Sequence, residues 1–175
     1  MVLLTPLLLL SACAGNPVNA VPVADFDPDK YLGTWYEVAR LDHSFERGLS
    51  RVSATYTKGQ DGKITVLNQC YKTSSGKTKT AKGKAKFAED NITGHLKVSF
   101  FGPFYGDYII FDLDKNLYNY AYVSGGNDTY LWLLSRTPNI SERVRQDFLE
   151  TSTALGYEIE NLIWVDHSNP NTEQH

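Results

Sequence analysis

The amino-acid sequence predicts an all-β chain: an eight-stranded up-and-down antiparallel β-barrel with one C-terminal α-helix packed against its outside. Three observations carry that prediction. From Trp35 to Arg136 the chain reads as eight short strand-like runs separated by turn residues, at the close spacing of consecutive hairpins. After Ser141 a single stretch repeats its apolar residues at helical spacing instead. The composition is aromatic-rich, with 11 Tyr, 8 Phe and 3 Trp, which favours strands. The length of 175 residues suits one domain with a core of its own. The formal charge of −3 is spread along the chain without a basic patch, which argues against nucleic acid as a partner.

Leu7-Leu8-Leu9-Leu10-Ser11-Ala12-Cys13 is an apolar run ending in small residues and a cysteine. It is too short to cross a bilayer as a helix and reads as the apolar part of a secretory signal. Leu10-Ser11-Ala12-Cys13 resembles the bacterial lipobox, in which the cysteine is diacylated and becomes the new N-terminus. Residues 1–12 are then a lipoprotein signal peptide, Cys13 the lipidation site and residues 13–24 a tether. Two prolines and no periodicity predict that the tether is flexible. The alternative is a signal cut elsewhere and an ordinary Cys13. No Lys or Arg precedes Lys30, so the basic start of such a signal is missing, and the true start is left open between a site upstream and a truncated sequence. Ala14-Gly15, with no Asp beside the cysteine, resembles the pattern sorted to the outer membrane in Gram-negative lipoproteins. Two or three acyl chains hold a protein firmly, whereas one holds weakly.

The barrel opens with Tyr31-Leu32-Gly33-Thr34-Trp35-Tyr36-Glu37. Gly33 permits a sharp turn, and Trp35 is large enough to plug one end of a small barrel. Trp35 to Leu41 is the first strand, and Asp42 to Leu49 a lid-like loop. Arg51 to Lys58 and Ile64 to Tyr71 follow, joined by the hairpin turn Gly59-Gln60-Asp61-Gly62. Lys79 to Phe87 comes after the polar loop Thr73 to Thr78. His95 to Phe101 is closed by Gly102-Pro103. Tyr105 to Asp112, Leu117 to Val123 and Tyr130 to Arg136 complete the eight. Beyond them, Pro138 ends the last strand and Ser141 caps a helix whose Val144, Phe148 and Leu155 share a face, with Gly156 at its close. Glu160 to Val165 reads as one more short strand, and Ser168 to His175 as a frayed tail.

Strand alternation sorts the faces. Val52, Ala54 and Tyr56 point one way in the second strand. Gly83, Ala85 and Phe87 oppose Lys82, Lys84 and Lys86 in the fourth, so the lysines face water. Leu96 and Val98 point inward in the fifth, and Trp132, Leu134 and Arg136 share parity in the eighth. The sixth and seventh strands are apolar on both faces and cannot be assigned this way. The inward set Ala39, Val52, Ala54, Tyr56, Val66, Phe87, Leu96, Val98 and Trp132 is almost wholly apolar. An eight-stranded barrel is about wide enough inside for one small ligand, and such a lining suits an acyl chain rather than a sugar or nucleotide. Its head group is expected near the Asp42 to Leu49 loop, where His43 and Arg47 can meet a carboxylate or phosphate. Glu37 has the parity of Trp35, and Asn68 raises the same question: each is a polar ligand anchor or a structural hydrogen bond, since a buried carboxylate is costly unpaired. Cys70 shares parity with Val66 and Asn68, but no basic neighbour is visible that would activate its thiol. His43, His95, His167 and His175 lack metal-ligand spacing, and neither a Gly-x-Ser-x-Gly elbow nor a phosphate loop occurs. No metal, other cofactor or catalytic residue is expected.

Gly33-Thr34-Trp35 resembles the first lipocalin motif, and Ser135-Arg136 the third. Asp112-Leu113-Asp114 falls where the second lies but lacks its usual tyrosine. Three longer runs are more specific: Trp35 to Arg40, Lys97 to Gly106 and Leu131 to Pro138. Together they resemble the bacterial, Blc-type branch of the lipocalin family, related to apolipoprotein D. That resemblance implies that residues 25–175 form a lipocalin domain. It implies an outer-membrane lipoprotein on the periplasmic side, without enzymatic activity, that binds fatty acids or lysophospholipids and serves membrane maintenance under stress. It also implies that Arg136 caps Trp35 beside Gly33 as a structural closure. Some relatives tie the Cys70 region to the tail by a disulfide. The tail here has no cysteine, so Cys70 is expected as a free thiol. The partners are then the lipid ligand and the membrane, with a homodimer left open. Two rival classes remain: a lipid-modifying enzyme using Cys70 or Glu37, and a structural surface lipoprotein whose barrel is filled.

Overall fold

The computed structural model describes residues 15–59 and 62–168. The signal peptide, Cys13, the centre of the Gly59–Gly62 turn and the tail from residue 169 lie outside them. A short helix α1 (Pro28–Tyr31) leads into strands β1 (Gly33–Arg40), β2 (Leu49–Lys58), β3 (Ile64–Lys72), β4 (Lys77–Phe87), β5 (His95–Ser99), β6 (Gly106–Leu113), β7 (Tyr120–Ser124) and β8 (Leu131–Ser135). Helix α2 (Glu142–Ala154) and a two-residue strand β9 (Ile163–Trp164) follow. From β1 to β8 consecutive strands pair antiparallel, and β1 pairs with both β2 and β8, which closes the barrel. β9 joins the upper half of β1, beyond the part that β2 occupies.

The α1 turn was not expected. Asp27 caps it by accepting from the Asp29 and Lys30 amides, and Pro28 stands at its start, where no amide donor is needed. Gly33, at φ +96°, then turns the chain into β1. The closed end is sealed here. The Trp35 indole donates to the Tyr31 carbonyl at 2.8 Å. The Arg136 guanidinium lies 3.8 Å from the centre of the Trp35 ring and donates to the carbonyls of Tyr118, Thr34 and Lys30.

Apolar packing divides in two. One cluster fills the lower barrel: Phe26, Tyr31, Trp35, Tyr56, Val66, Leu96, Ile110 and their neighbours. The other lies between the barrel wall and α2, where Val38, Ala39, Tyr122, Leu131 and Leu133 meet Val144 and Phe148. This second layer explains why the sixth and seventh strands showed no alternation. Their outer faces are covered, Phe111 and Tyr122 packing outward while Ile110 and Val123 point inward. Ser141 caps α2 as expected, accepting from the Val144 amide.

Several boundaries shift. β4 begins at Lys77, so the polar loop is shorter, and the seventh strand begins at Tyr120 because Asp114 gathers the amides of Asn116, Leu117 and Asn119 into a turn. The last strand shrinks to β9 after a 3₁₀ turn at Ile159–Asn161. The segment from Gly15 to Ala24, expected to be a flexible tether, is seated on the barrel instead. Val23, for example, donates to the Ile110 carbonyl and accepts from the Gly94 amide, both at 2.8 Å.

Candidate functional site

The site is a cavity of about 470 Å³ in the upper barrel. Its floor is Trp35, Tyr56 and Tyr108; its walls include Val52, Ala54, Val66, Val98, Trp132 and Leu134. Phe45 and Glu46 from the β1–β2 loop, Phe100 beside β5, and Asn127 and Tyr130 from the β7–β8 loop rim its mouth. On the floor, Tyr31 and Tyr108 share a hydrogen bond of 2.7 Å, and the Tyr56 hydroxyl donates to Tyr108 at 3.0 Å. These buried phenols satisfy one another, and burial pushes Tyr56 up to about 12.

Of the predicted lining, Glu37, Val52, Ala54, Tyr56, Val66, Asn68, Val98 and Trp132 face this space. Leu96 and Phe87 point inward but belong to the packed layer beneath the floor. Alternation fixes the face of a residue and not its height along the barrel axis, so it could not separate them from the lining. Ala39 is a correction of another kind. The register of β1 against β8 shifts between Glu37 and Ala39, a β-bulge at Val38. The extra residue reverses parity, so Ala39 packs outward against the α2 layer and Arg40 turns into the barrel.

The bulge creates the polar centre of the site. Arg40 is 2 % exposed and donates to Glu37 Oε1 at 2.6 Å and to the Glu46 carbonyl at 2.9 Å. Its Nε stands 3.9 Å from Glu46 Oε2, which accepts from the Trp132 indole at 3.3 Å. One guanidinium thus faces two buried carboxyls, and the group is neutral when the carboxyls keep one proton between them. Burial, and then the charge of Glu46, hold Glu37 well above the usual carboxylate range; burial raises Glu46 as well. Sequence reasoning missed Arg40 and Glu46. The one hint was the pair of opposite charges at 37 and 40 in an otherwise apolar strand, which strict alternation places on opposite faces.

His43 and Arg47 do not form the expected cationic head-group site. His43 is buried, stacks on Phe45 with ring centres 4.2 Å apart, and is lowered to about 4 by burial and by Arg40. Its Nε2 lies 3.2 Å from Glu46 Oε2 but off the line of a hydrogen bond. Arg47 is exposed and held by Asp42 at 2.8 Å. Among the described residues, the ionisable carboxyls that line the cavity are Glu37, Glu46 and Asp107, and no lysine or arginine lines it. Asp107 is held low by Lys97 and His95, the former at 2.6 Å. Asn68 turns a buried side-chain oxygen to this space with no protein partner. Cys70 is half-buried and does not line the cavity, and burial pushes its thiol up, away from a reactive thiolate.

Residues 26–167 match the Lipocalin-like domain family. The chain is 54% identical over 157 residues to the outer membrane lipoprotein Blc of Vibrio cholerae, covering 90% of this chain and 92% of that protein. It is 45% identical over 163 residues to the outer membrane lipoprotein Blc of Escherichia coli K12, covering 92% of each. Among solved structures, insecticyanin of the tobacco hornworm superposes with a TM-score of 0.72 at 23% identity, over 89% of this chain and 88% of that one, a likeness of fold. The chain therefore belongs to the lipocalin-like family and, with its bacterial relatives, to the outer membrane.

Proposed function

We propose that this envelope lipocalin binds one acyl chain, as a fatty acid or lysophospholipid, and stores or carries it in service of membrane maintenance. The observation that carries the reading is the cavity itself: about 470 Å³, open at one end and walled by Val52, Ala54, Val66, Val98 and Trp132. That lies within the range of roughly 300–1,000 Å³ typical of small-ligand sites and argues against a filled barrel. Each buried methylene contributes about 0.8 kcal/mol. A dozen supply roughly 10 kcal/mol, much of it offset by lost freedom of the ligand, so micromolar or somewhat tighter binding follows. The polar contacts favour the lysophospholipid. Among the described residues no lysine or arginine lines the cavity, and Arg40 is already engaged by Glu37 and the Glu46 carbonyl, whereas Asn68 offers an unpartnered acceptor to a glycerol hydroxyl.

The protein is held in the membrane by acyl groups on Cys13. Labelled palmitate should enter the wild type and not Cys13→Ser; equal labelling of both rejects the anchor. For the ligand, the protein released from membranes is weighed intact by native mass spectrometry. A mass increment of one single-chain lipid is expected. An apo mass only, from protein never exposed to organic solvent, counts against the reading.

A further inference from the structure

The described chain begins at the mouth of the cavity. The Asn16 amide donates to Asp128 Oδ1 at 2.9 Å and its side chain to Oδ2 at 2.8 Å, while the Asp128 amide returns to the Asn16 carbonyl. Val18 donates to the Gly126 carbonyl, and Pro17 pairs with Asn127 as an antiparallel bridge. Gly15 sits so close that a Cβ there would lie 2.3 Å from Asp128 Oδ1. All these partners belong to the β7–β8 loop, whose Asn127 lines the cavity mouth. From this seat the chain runs down the outside of the barrel to Phe26, which is buried in the closed-end core.

The same end presents exposed aromatic rings. Phe101 is 83% and Phe104 79% exposed on the β5–β6 loop, and Phe45 is 61% exposed on the β1–β2 loop. Between them in barrel order stands the β3–β4 turn, whose Lys72 and Lys77 have no ion pair among the described residues. Among the described residues, the large apolar side chains exposed at the opposite end are the single aliphatics Ile92 and Leu117. Phenylalanines at a rim with free lysines beside them suit a lipid surface carrying anionic head groups.

We propose that the protein lies mouth-down on the membrane: the seated N-terminal segment and the aromatic rim hold the open end of the barrel against the lipid, so that the acyl chain passes between bilayer and cavity without crossing bulk water. The proposal rests on the Cys13 anchor and lipid cargo proposed above. Cys13 precedes Asn16 by three residues, about 10 Å of extended chain. The closed end lies a strand length further off, about 25 Å for the eight residues of β1. An acyl group on Cys13 therefore reaches a bilayer beneath the mouth and not one beneath the closed end, unless the Asn16–Asp128 seat is broken.

The test uses the full acylated chain in vesicles of phosphatidylethanolamine and phosphatidylglycerol, in a Cys70→Ser background. An environment-sensitive fluorophore is attached at Phe104→Cys in one preparation and at Leu117→Cys in another, and the vesicles include lipids brominated in the acyl chain. Flotation with the vesicles reports the anchor separately. The expected result is flotation of both, with the label at 104 blue-shifted and quenched and the label at 117 unaffected. Flotation with both labels equally quenched, or with 117 the quenched one, overturns the orientation and leaves the anchor standing. Failure to float overturns both. In a second arm, Phe101→Asp/Phe104→Asp should deliver a fluorescent lysophospholipid to the vesicles about tenfold more slowly, with its affinity in solution unchanged. An unchanged transfer rate contradicts the role of the rim.

Discussion

Arg40 is the residue on which the upper barrel depends most. It is buried, it faces two carboxyls, and it donates to the Glu46 and Leu49 carbonyls, so it pins the β1–β2 loop over the cavity. Arg40→Met leaves the carboxyls without their cation, and breaking a buried pair from one side costs about 3–5 kcal/mol. Urea unfolding of the variant should show a loss of that size. His43 supplies a pH test. Its folded pKa of about 4 lies below the ordinary 6.5, so the unfolded chain takes up a proton first as pH falls. Stability is therefore lost as pH falls from 6.5 to 4, by up to about 3 kcal/mol. His43→Gln should flatten that slope in melts taken across the window. Glu37 acts with the opposite sign: raised when folded, its contribution is full below 4.5 and lost as pH rises through the folded value. Glu37→Gln should gain on the wild type as pH rises above 4.5. None of this cluster was legible beforehand except Glu37, because the bulge at Val38 breaks the two-residue period on which facing was assigned.

At the scale of elements, the closed end joins α1, β1, β8 and the β6–β7 turn through one side chain. Arg136 lies over Trp35 and donates to three backbone carbonyls. The ring contact contributes roughly 0.5–2 kcal/mol and each hydrogen bond about 1 kcal/mol or more. On that basis Arg136→Ala should lower stability by about 3–5 kcal/mol in chemical unfolding, with ligand affinity changed little because Arg136 does not line the cavity. Tyr122 plays the matching part outside. Its one hydroxyl proton is shared between Asp147 at 2.8 Å and the Val144 carbonyl at 3.1 Å, and its ring meets Phe148 edge-on. Strand order, hairpin pairing and the capped helix were readable because each rests on local chemistry: Gly-rich and Gly-Pro breaks between strands, alternation, and Ser141 before an amphipathic run. The facing of β6 and β7 was not, because α2 covers a wall that in an uncovered barrel would show polar residues. Nor was the seat of residues 15–24, since pairing with a distant loop leaves no periodic mark in so short a segment.

For the whole molecule, a barrel closed by Trp35 and Arg136 and pinned at the rim by Arg40 encloses the cavity above its tyrosine floor that the proposed acyl chain would fill. Trp132 stands in its wall, so its fluorescence reports occupancy. The most direct measurement is a titration of a long-chain lysophospholipid into the wild type and Trp132→Phe, followed by fluorescence and calorimetry together. The predicted result is saturable quenching at a stoichiometry of one, tighter than for the matching fatty acid, with the quenching much reduced in Trp132→Phe while the calorimetric binding persists. No heat and no quenching with either lipid at about tens of micromolar, well above the affinity expected for a dozen buried methylenes, would contradict it.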